Sequence, residues 1–424
     1  MTAILFISLF FFFLSGVPIA FSIALSSLVA FVFHGDLPPV MIIQRLYAGV
    51  DSFPLLAVPL FMLAGFLMES GGISRRVIEF AEALVGWLPG GLTAVTIVAA
   101  MFFAGISGSA AADAAAVGSI MIPAMVSRGY DPRLAGAVMA SGGSLGVVIP
   151  PSIPMIIFGF LTGASVGKLF VAGIIPGLMI GISLMTLSVL ISWKEGIRET
   201  IPFSWRRLVV TFWEAKWALG APVVILGGIL GGVFTATEAA AVATFYALIV
   251  GLFIHKELRW KDLPSLVIRG CLTASTILFI IATASVFSWL MAIEDIPARI
   301  ASGILSITRD RTLLLLMINA LLLAAGTFVE TTAALILLVP VITPLLPSLN
   351  MDIIQLGVVV VVNLAIGMLT PPLGICLLVS CSIANIRLDE IIRRIGLFLM
   401  VLILNLILIT YWEPLTLWLP SMMD

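Results

Sequence analysis

Runs of apolar residues, separated by short charged or Gly/Pro clusters, recur from one end of the chain to the other. Taking those clusters as breaks predicts apolar elements over 2–14, 17–33, 53–70, 91–126, 134–165, 169–192, 217–234, 237–254, 270–291, 311–347, 352–384 and 395–418. A helix needs about 20 apolar residues to cross the hydrocarbon of a bilayer, and most of these elements approach or exceed that length. Three segments that mix basic and aromatic residues, 75–88, 202–217 and 258–270, read as helices lying in the membrane interface. Two elements stand apart because prolines interrupt them: GGSLGVVIPPSIPMIIFGFLTG (142–163) and NLAIGMLTPPLGICLLV (363–379).

Composition agrees with a polytopic membrane protein: 61% of the 424 residues are hydrophobic, 10% are charged, and the mean hydropathy is +1.24. A net charge of -1 without a basic run argues against nucleic acid as a partner. Cys271, Cys376 and Cys381 lie in apolar surroundings and His34 and His255 lie at predicted helix ends, so neither a disulfide framework nor a transition-metal site is expected. The first residues lack a basic region and a small-residue cleavage site and read as a retained membrane segment. If 91–126 and 311–347 are hairpins that enter and leave on one side, sixteen of the twenty-one basic residues share a face, Arg75, Arg76, Arg198 and Arg269 among them. The positive-inside rule then predicts that face to be cytoplasmic and both termini to lie outside.

An internal repeat organises the chain. AGISGSAAADAAAVGSIMIPAM (104–125) and AGTFVETTAALILLVPVITPLL (325–346) share a small-residue turn, an acid, an apolar run and a proline. The interval from Gly105 to Gly326 recurs unchanged from Pro150 to Pro371 and from Pro151 to Pro372. Residues 1–192 therefore form a first copy, 193–216 an interfacial connector and 217–424 a second copy. The charge-based topology sends the two hairpins in from opposite faces. The expected fold is all-α, with two inverted-topology repeats, re-entrant hairpins and broken helices, as in transporters whose sites lie at the bilayer midplane.

Proline removes a backbone donor, so Val148–Pro151 and Leu369–Pro372 should unwind and leave carbonyl oxygens without helical partners. At membrane depth such backbone lines a cavity or binds something. A lone proline would merely kink a helix, but two matched Pro-Pro breaks beside small-residue hairpins favour binding. Oxygen-bearing side chains cluster at the same places: Ser107, Ser109 and Asp113 on the first hairpin, Thr327, Glu330, Thr331 and Thr332 on the second. Such hard ligands suit sodium. A carboxylate at bilayer depth costs roughly 2.5–3.5 kcal/mol on insertion scales, so Asp113, Glu238 and Glu330 should face a cavity or a partner. Two alternatives stand beside that expectation: Asp113 as a structural acid at a helix end, and Glu238 as a helix cap behind Thr235. The Ser and Thr residues of these helices also serve close packing. No phosphate loop and no Ser/His/Asp, Cys/His or zinc constellation occurs, which argues against nucleotide hydrolysis or an enzyme.

These residues carry a resemblance. GISGSAAADAAAVGSIMIPAM, SGGSLGVVIPPSIPMIIFG, FTATEAAAVATFYALIVG and NLAIGMLTPPLGICLLV resemble the signature stretches of the large membrane subunit of tripartite ATP-independent periplasmic (TRAP) transporters, and the likeness runs through the whole chain. The resemblance implies sodium-driven uptake of an organic acid across a bacterial inner membrane by an elevator-type transporter. It implies two partners as well, a periplasmic substrate-binding protein and a separate small membrane subunit of four helices. Carried onto this sequence, the sodium and substrate region covers the tip Ser107–Asp113, the break Val148–Ser152, the tip Gly326–Thr332 and the break Gly367–Pro372. The expected ion ligands are Ser107, Gly108, Asp113, Val148, Pro150, Gly326, Thr327, Thr331, Gly367, Thr370 and Pro371. The expected substrate contacts are Ser109, Ser152, Glu238 and Glu330, with Glu330 accepting substrate hydroxyls or holding an ion. A carrier of similar architecture that works without a binding protein is the competing expectation. A permease driven by an ATPase would need a docking loop, and the short loops offer none.

Overall fold

The computed structural model describes residues 2–35, 38–197 and 200–423, so Arg198, counted above among the cytoplasmic charges, lies outside the described residues. Among the described residues the regular structure is entirely helical, and nine helices are long and apolar enough to cross a membrane. The first copy contains α1 (Thr2–Leu14), α2 (Ile19–His34), α3 (Val40–Val50), α4 (Ala57–Ser70), α5 (Ile73–Val85), α6 (Gly91–Ser107), α7 (Ala110–Ser127), α8 (Pro132–Gly143), α9 (Ile153–Thr162) and α10 (Val166–Lys194). The second contains α11 (Trp205–Leu230), α12 (Ala236–Ile249), α13 (Leu263–Ile293), α14 (Ile296–Ile307), α15 (Arg311–Phe328), α16 (Thr331–Ile342), the short α17 (Leu346–Leu349), α18 (Ile353–Gly367), α19 (Ile375–Ala384), α20 (Leu388–Tyr411) and the short α21 (Pro414–Leu417).

Both predicted hairpins and both broken helices are present. α6 and α7 make the first hairpin, α15 and α16 the second; α8 and α9 flank the first Pro-Pro break, α18 and α19 the second. Helix ends carry the repeat interval: it separates the end of α6 at Ser107 from that of α15 at Phe328, and the start of α8 at Pro132 from that of α18 at Ile353. Their caps repeat too. Asp131 accepts the Arg133 N–H at 2.9 Å and Asp352 the Ile354 N–H at 2.7 Å, each satisfying an orphan donor of the first turn. Beyond the breaks the interval lengthens slightly, from the start of α10 at Val166 to that of α20 at Leu388, because the second copy has an insertion after its break.

Two predicted boundaries fall inside single helices. The interfacial segment 202–217 and the element after it form one helix, α11, which starts at the Ser204 cap within the predicted connector; likewise most of 258–270 belongs to α13. Neither Trp217 nor Gly270 breaks a helix, because the chain there keeps its hydrogen-bonding pattern and only changes its outer face from charged to apolar. The segment 75–88, in contrast, forms a short separate amphipathic helix, α5. Two short helices, α3 and α14, went unpredicted; α14 is the repeat partner of α5, with its start at Ile296 close to one repeat interval after Ile73.

The two copies interlock. α19 packs against α7 and α8, and α9 packs against α16 and α18, so the second half of each broken helix lies on the hairpin of the other copy. Fully buried residues such as Phe103, Phe158, Leu145 and Val360 join these elements into one apolar core. Around it, α4 pairs with α12, α13 with α2 and α3, and α5 with α11. The outer faces of α11 and α2 expose Trp205, Trp213, Val223 and Phe33, apolar side chains suited to lipid and not to water.

Candidate functional site

At the first tip, α6 ends in Gly108, whose φ of 65° lies in the left-handed region that glycine enters without penalty. This sharp reversal brings the tip against the first break. The Gly108 carbonyl accepts the Ile153 N–H at 3.3 Å, and a Cβ on Gly108 would stand 2.8 Å from the Pro151 carbonyl oxygen. Inside the tip, Ser107 Oγ donates to Asp113 Oδ1 and accepts the Ser109 N–H at 3.1 Å. Asp113 is fully buried, yet its Oδ2 has no hydrogen-bond partner. Gly146, just before the break, lies so close that a side chain there would run into Asp113 Oδ2 and the Ser109 carbonyl. The lone pairs of Asp113 Oδ2 therefore lack any donor among the described residues, the state that a polar group at this depth ordinarily avoids.

The first break is otherwise well tied. Val148 and Ile149 both donate to the Leu145 carbonyl at 2.9 Å, and Ser152 Oγ donates to the Val147 carbonyl at 2.5 Å while capping α9 through the Met155 N–H at 3.3 Å. The Pro150–Pro151 bond is cis, and the Pro371–Pro372 bond is cis as well. The Pro150 carbonyl lies on the α6 side near Gly105, within the tip's surroundings. The Val148 carbonyl borders Gly173 of α10, where a Cβ would stand 2.7 Å from it.

The second tip meets its own break more tightly. Gly367 and Gly326 touch backbone to backbone, and a Cβ on Gly367 would come 2.5 Å from Gly326 Cα. Thr370 N–H donates to the Gly367 carbonyl at 2.9 Å, and Thr370 Oγ1 to the Ile366 carbonyl at 3.0 Å. Pro371 is half-buried and Pro372 is exposed, whereas the first Pro-Pro pair is buried. Glu330 occupies the N-cap of α16, where its carboxylate accepts the Thr332 and Ala333 N–H groups at 2.9 and 3.3 Å and the Thr332 hydroxyl at 3.0 Å. Glu330 is thus largely satisfied by its own helix. Thr327 Oγ1 bonds back to the Leu323 carbonyl at 2.9 Å, while the buried Thr331 Oγ1 is left without a partner.

Glu238 stands apart from both tips. It forms a capping box with Thr235 at the exposed start of α12, accepting the Thr235 N–H at 2.8 Å. The capping role, one of the two expectations for this acid, is the one its surroundings express.

Sequence reasoning missed two groups. Asn363 Nδ2 donates to Asn319 Oδ1 at 2.8 Å, and Asn319 Nδ2 to Thr410 Oγ1 at 3.3 Å, a buried polar thread joining α18, α15 and α20 behind the second tip. The lone asparagines in the apolar runs 313–325 and 353–367 were the available signal. The second group lines a cleft of about 300 Å³ beside the first tip, where Ser107 and Ser109 face Glu69 and Phe66 of α4 and Arg269 and Thr273 of α13. Arg269 had been counted only as a topogenic charge.

Comparison with known proteins fits this architecture. Residues 6–415 match the family model "Tripartite ATP-independent periplasmic transporter, DctM component". The chain is 43% identical over 400 residues to the isethionate TRAP transporter permease protein DctMQ of Oleidesulfovibrio alaskensis, covering 94% of this chain and 63% of that relative's length. It is 39% identical to the C4-dicarboxylate TRAP transporter large permease protein DctM of Pseudomonas aeruginosa, over 89% of this chain and 88% of the relative. It is also 39% identical to the 2,3-diketo-L-gulonate TRAP transporter large permease protein YiaN of Escherichia coli, over 93% of each. In fold it is similar to the Alcanivorax borkumensis YdaH transporter, whose crystal structure is described as having an unusual topology, with a TM-score of 0.54, 13% identity and 88% of each chain covered. Repeat, tips and breaks thus lie in a chain that belongs to the DctM family, the large membrane permeases of tripartite ATP-independent periplasmic transporters.

Proposed function

We propose that this permease carries a small organic acid across the bacterial inner membrane in symport with sodium, by an elevator motion of the two hairpins and broken helices against the surrounding helices. The orphaned Oδ2 of the buried Asp113 is the observation that carries the ion coupling. A carboxylate there, beside Ser107 Oγ and the Ser109 carbonyl, offers the oxygen-rich surroundings a bare hard cation selects. At the second tip the unpartnered Thr331 Oγ1 is the corresponding group, while the Gly367 carbonyl is already taken by the Thr370 N–H. With the cation bound, the tip is electrically quiet and fully bonded. Without it, moving the domain would carry an unpaired charge through apolar helices, so the empty form crosses poorly.

The substrate anion then sits next to the first tip, near Ser109, while the buried Ser152 holds the break in shape through the Val147 carbonyl and the Met155 N–H. Glu330 is committed to its helix cap and acts by holding the second tip in shape. Relatives named for isethionate, C4-dicarboxylates and 2,3-diketo-L-gulonate support an organic anion as cargo. Membership of a tripartite periplasmic transporter family supports a small membrane subunit as partner, with a periplasmic binding protein delivering the substrate. On the charge asymmetry, both termini lie in the periplasm.

The test is uptake into proteoliposomes holding this chain and its small subunit, with isethionate, succinate or 2,3-diketogulonate and an imposed sodium gradient, with and without the cognate binding protein. Accumulation is expected only when sodium and binding protein are both present. Uptake driven equally by a potassium gradient sinks the sodium assignment, and uptake indifferent to the binding protein favours the stand-alone carrier.

A further inference from the structure

The cleft beside the first tip is polar for a reason that the fold alone does not supply. The repeat contains its twin, a cavity of about 600 Å³ between α1, α13 and the second hairpin. Carried from the first cleft to the second by the Gly105-to-Gly326 interval, Phe66 corresponds to Phe287, Phe103 to Ala324 and Ser107 to Phe328. The twin is lined by apolar side chains throughout, whereas the first cleft holds Glu69, Arg269, Thr273, Ser107 and Ser109. Arg269 is exposed and Glu69 half-buried, so the first cleft opens at the face that the basic residues mark and offers polar cargo a charged mouth that its twin lacks.

The arginine is arranged to receive something. Its guanidinium carbon lies 4.6 Å from the centroid of the Phe66 ring, a cation–π contact that uses one flat face of the group. The edge, with its five N–H donors in a planar fork, stays free for an acceptor and matches the two or three oxygens of a carboxylate or sulfonate. Glu69 acts on Arg269 electrostatically from the facing helix α4. A volume of about 300 Å³ is at the small end of ligand pockets and suits a small acid.

We propose that Arg269 and Thr273 form a scaffold-borne anion station that receives the carboxylate or sulfonate of the substrate when the first tip swings beside it, and that Glu69 keeps the station weak enough to release. The station rests on the transport reading for its direction of traffic, since Arg269 lies on the side marked by the basic residues. Both tip serines and the arginine line one cavity, so the anion can pass from one to the other without leaving it.

The charge of the cleft can be read without any transport. Ala112, which lines the cleft from α7, is replaced by cysteine in a Cys271→Ser background, in the full chain with its small subunit in proteoliposomes. The modification rates by sulfonatoethyl and trimethylammonioethyl methanethiosulfonate are compared, each normalised to a small free thiol. The anionic reagent is expected to be favoured about fivefold: a unit charge a few ångströms away shifts each reagent by about that factor in opposite directions, and Glu69 offsets part of the combined preference. Arg269→Gln should bring that preference to one or below, since Glu69 is then the only charge in the lining, Arg269→Lys should keep it, and Glu69→Gln should raise it. An equal preference in Arg269→Gln and the parent, or a fall in Glu69→Gln, overturns the station. Because no gradient is applied, a charge preference that survives beside absent sodium-driven uptake would count against the transport reading and not against the station.

Discussion

The two copies of the repeat have the same hairpins and broken helices in the same register, yet their tips are built for different tasks. The first tip turns through a left-handed glycine, buries an acid with a free oxygen and opens onto a polar cleft. The second leaves its helix through Val329 in an extended conformation, spends its acid on capping α16 and opens onto an apolar cleft. Position for position, Ser109 of one copy is Glu330 of the other, and Asp113 is Ala334. Duplication preserved the backbone architecture, and the side chains then divided the labour. The second tip is a packing joint, with Gly326 and Gly367 in backbone contact, and the first is a chemical one.

The largest expected effect breaks the chemical joint. Asp113→Asn should raise the sodium concentration for half-maximal uptake about 30-fold or more, corresponding to the ~2 kcal/mol lower bound for losing one partner of a buried charged pair. Sodium titration of uptake measures it, and an unchanged half-saturation removes Asp113 from the ion site. Next, an exchange of equivalent positions should expose the asymmetry of the clefts. Ser107→Phe is expected to abolish uptake, while Phe328→Ser, which opens space in an apolar cavity, should keep it within about threefold, as for a substitution outside the buried machinery. Comparable losses in both would mean that the two clefts serve equally.

Substituting the glycines sharpens the contrast further. Gly367→Ala forces a methyl into the Gly326 backbone and should lower stability by about 1–3 kcal/mol, seen as a fall in the detergent melting temperature, with little change in sodium dependence. Gly146→Ala meets the Asp113 carboxylate and should act in the opposite proportion, weakening sodium more than the fold. If the two behave alike, the division into packing and chemical joints fails. The smallest effect concerns His255, just past the end of α12 and outside the spans. Burial holds its imidazole below the usual value of 6.5, with nearby Arg76 adding to the effect, although Nδ1 lies 3.0 Å from the Gly71 carbonyl. The folded chain therefore takes up this proton less readily than the unfolded one. Stability attributable to His255 is constant above that pH and declines as pH falls below it. Melting temperatures of wild type and His255→Gln between about pH 5 and 8 should diverge only in the acid range.

The elements that could be read from the chain were those with a one-dimensional signature. Hairpins, Pro-Pro breaks and the interval between their two occurrences are written as small residues, prolines and an acid at fixed spacing, and the structure has all of them. Three kinds of feature escaped. Helix starts within charged segments, as at Trp205 and Leu263, carry no breaker at the membrane boundary, so a change of outer face was mistaken for an end. Short amphipathic helices such as α3 and α14 are below the length at which periodicity stands out. Contacts between distant segments have no local trace at all: Arg269 reaches the first tip only because α13 and α4 pack against each other. The same limit applies to Glu330, whose carboxylate could be assigned to a ligand or to a cap equally well until its donors were in view.

The apolar twin cleft has a further consequence, for the insulation of the membrane. A cavity walled by Phe6, Phe10, Phe287 and Phe328 gives water no hydrogen-bonding partner and stays dry, as hydrophobic constrictions do. A continuous file of water through the protein would let protons and ions leak between turnovers. Under the proposed elevator motion, a polar cleft on one side and a dry one on the other would keep such a file from forming, and an ion gradient would lose little while the permease is idle.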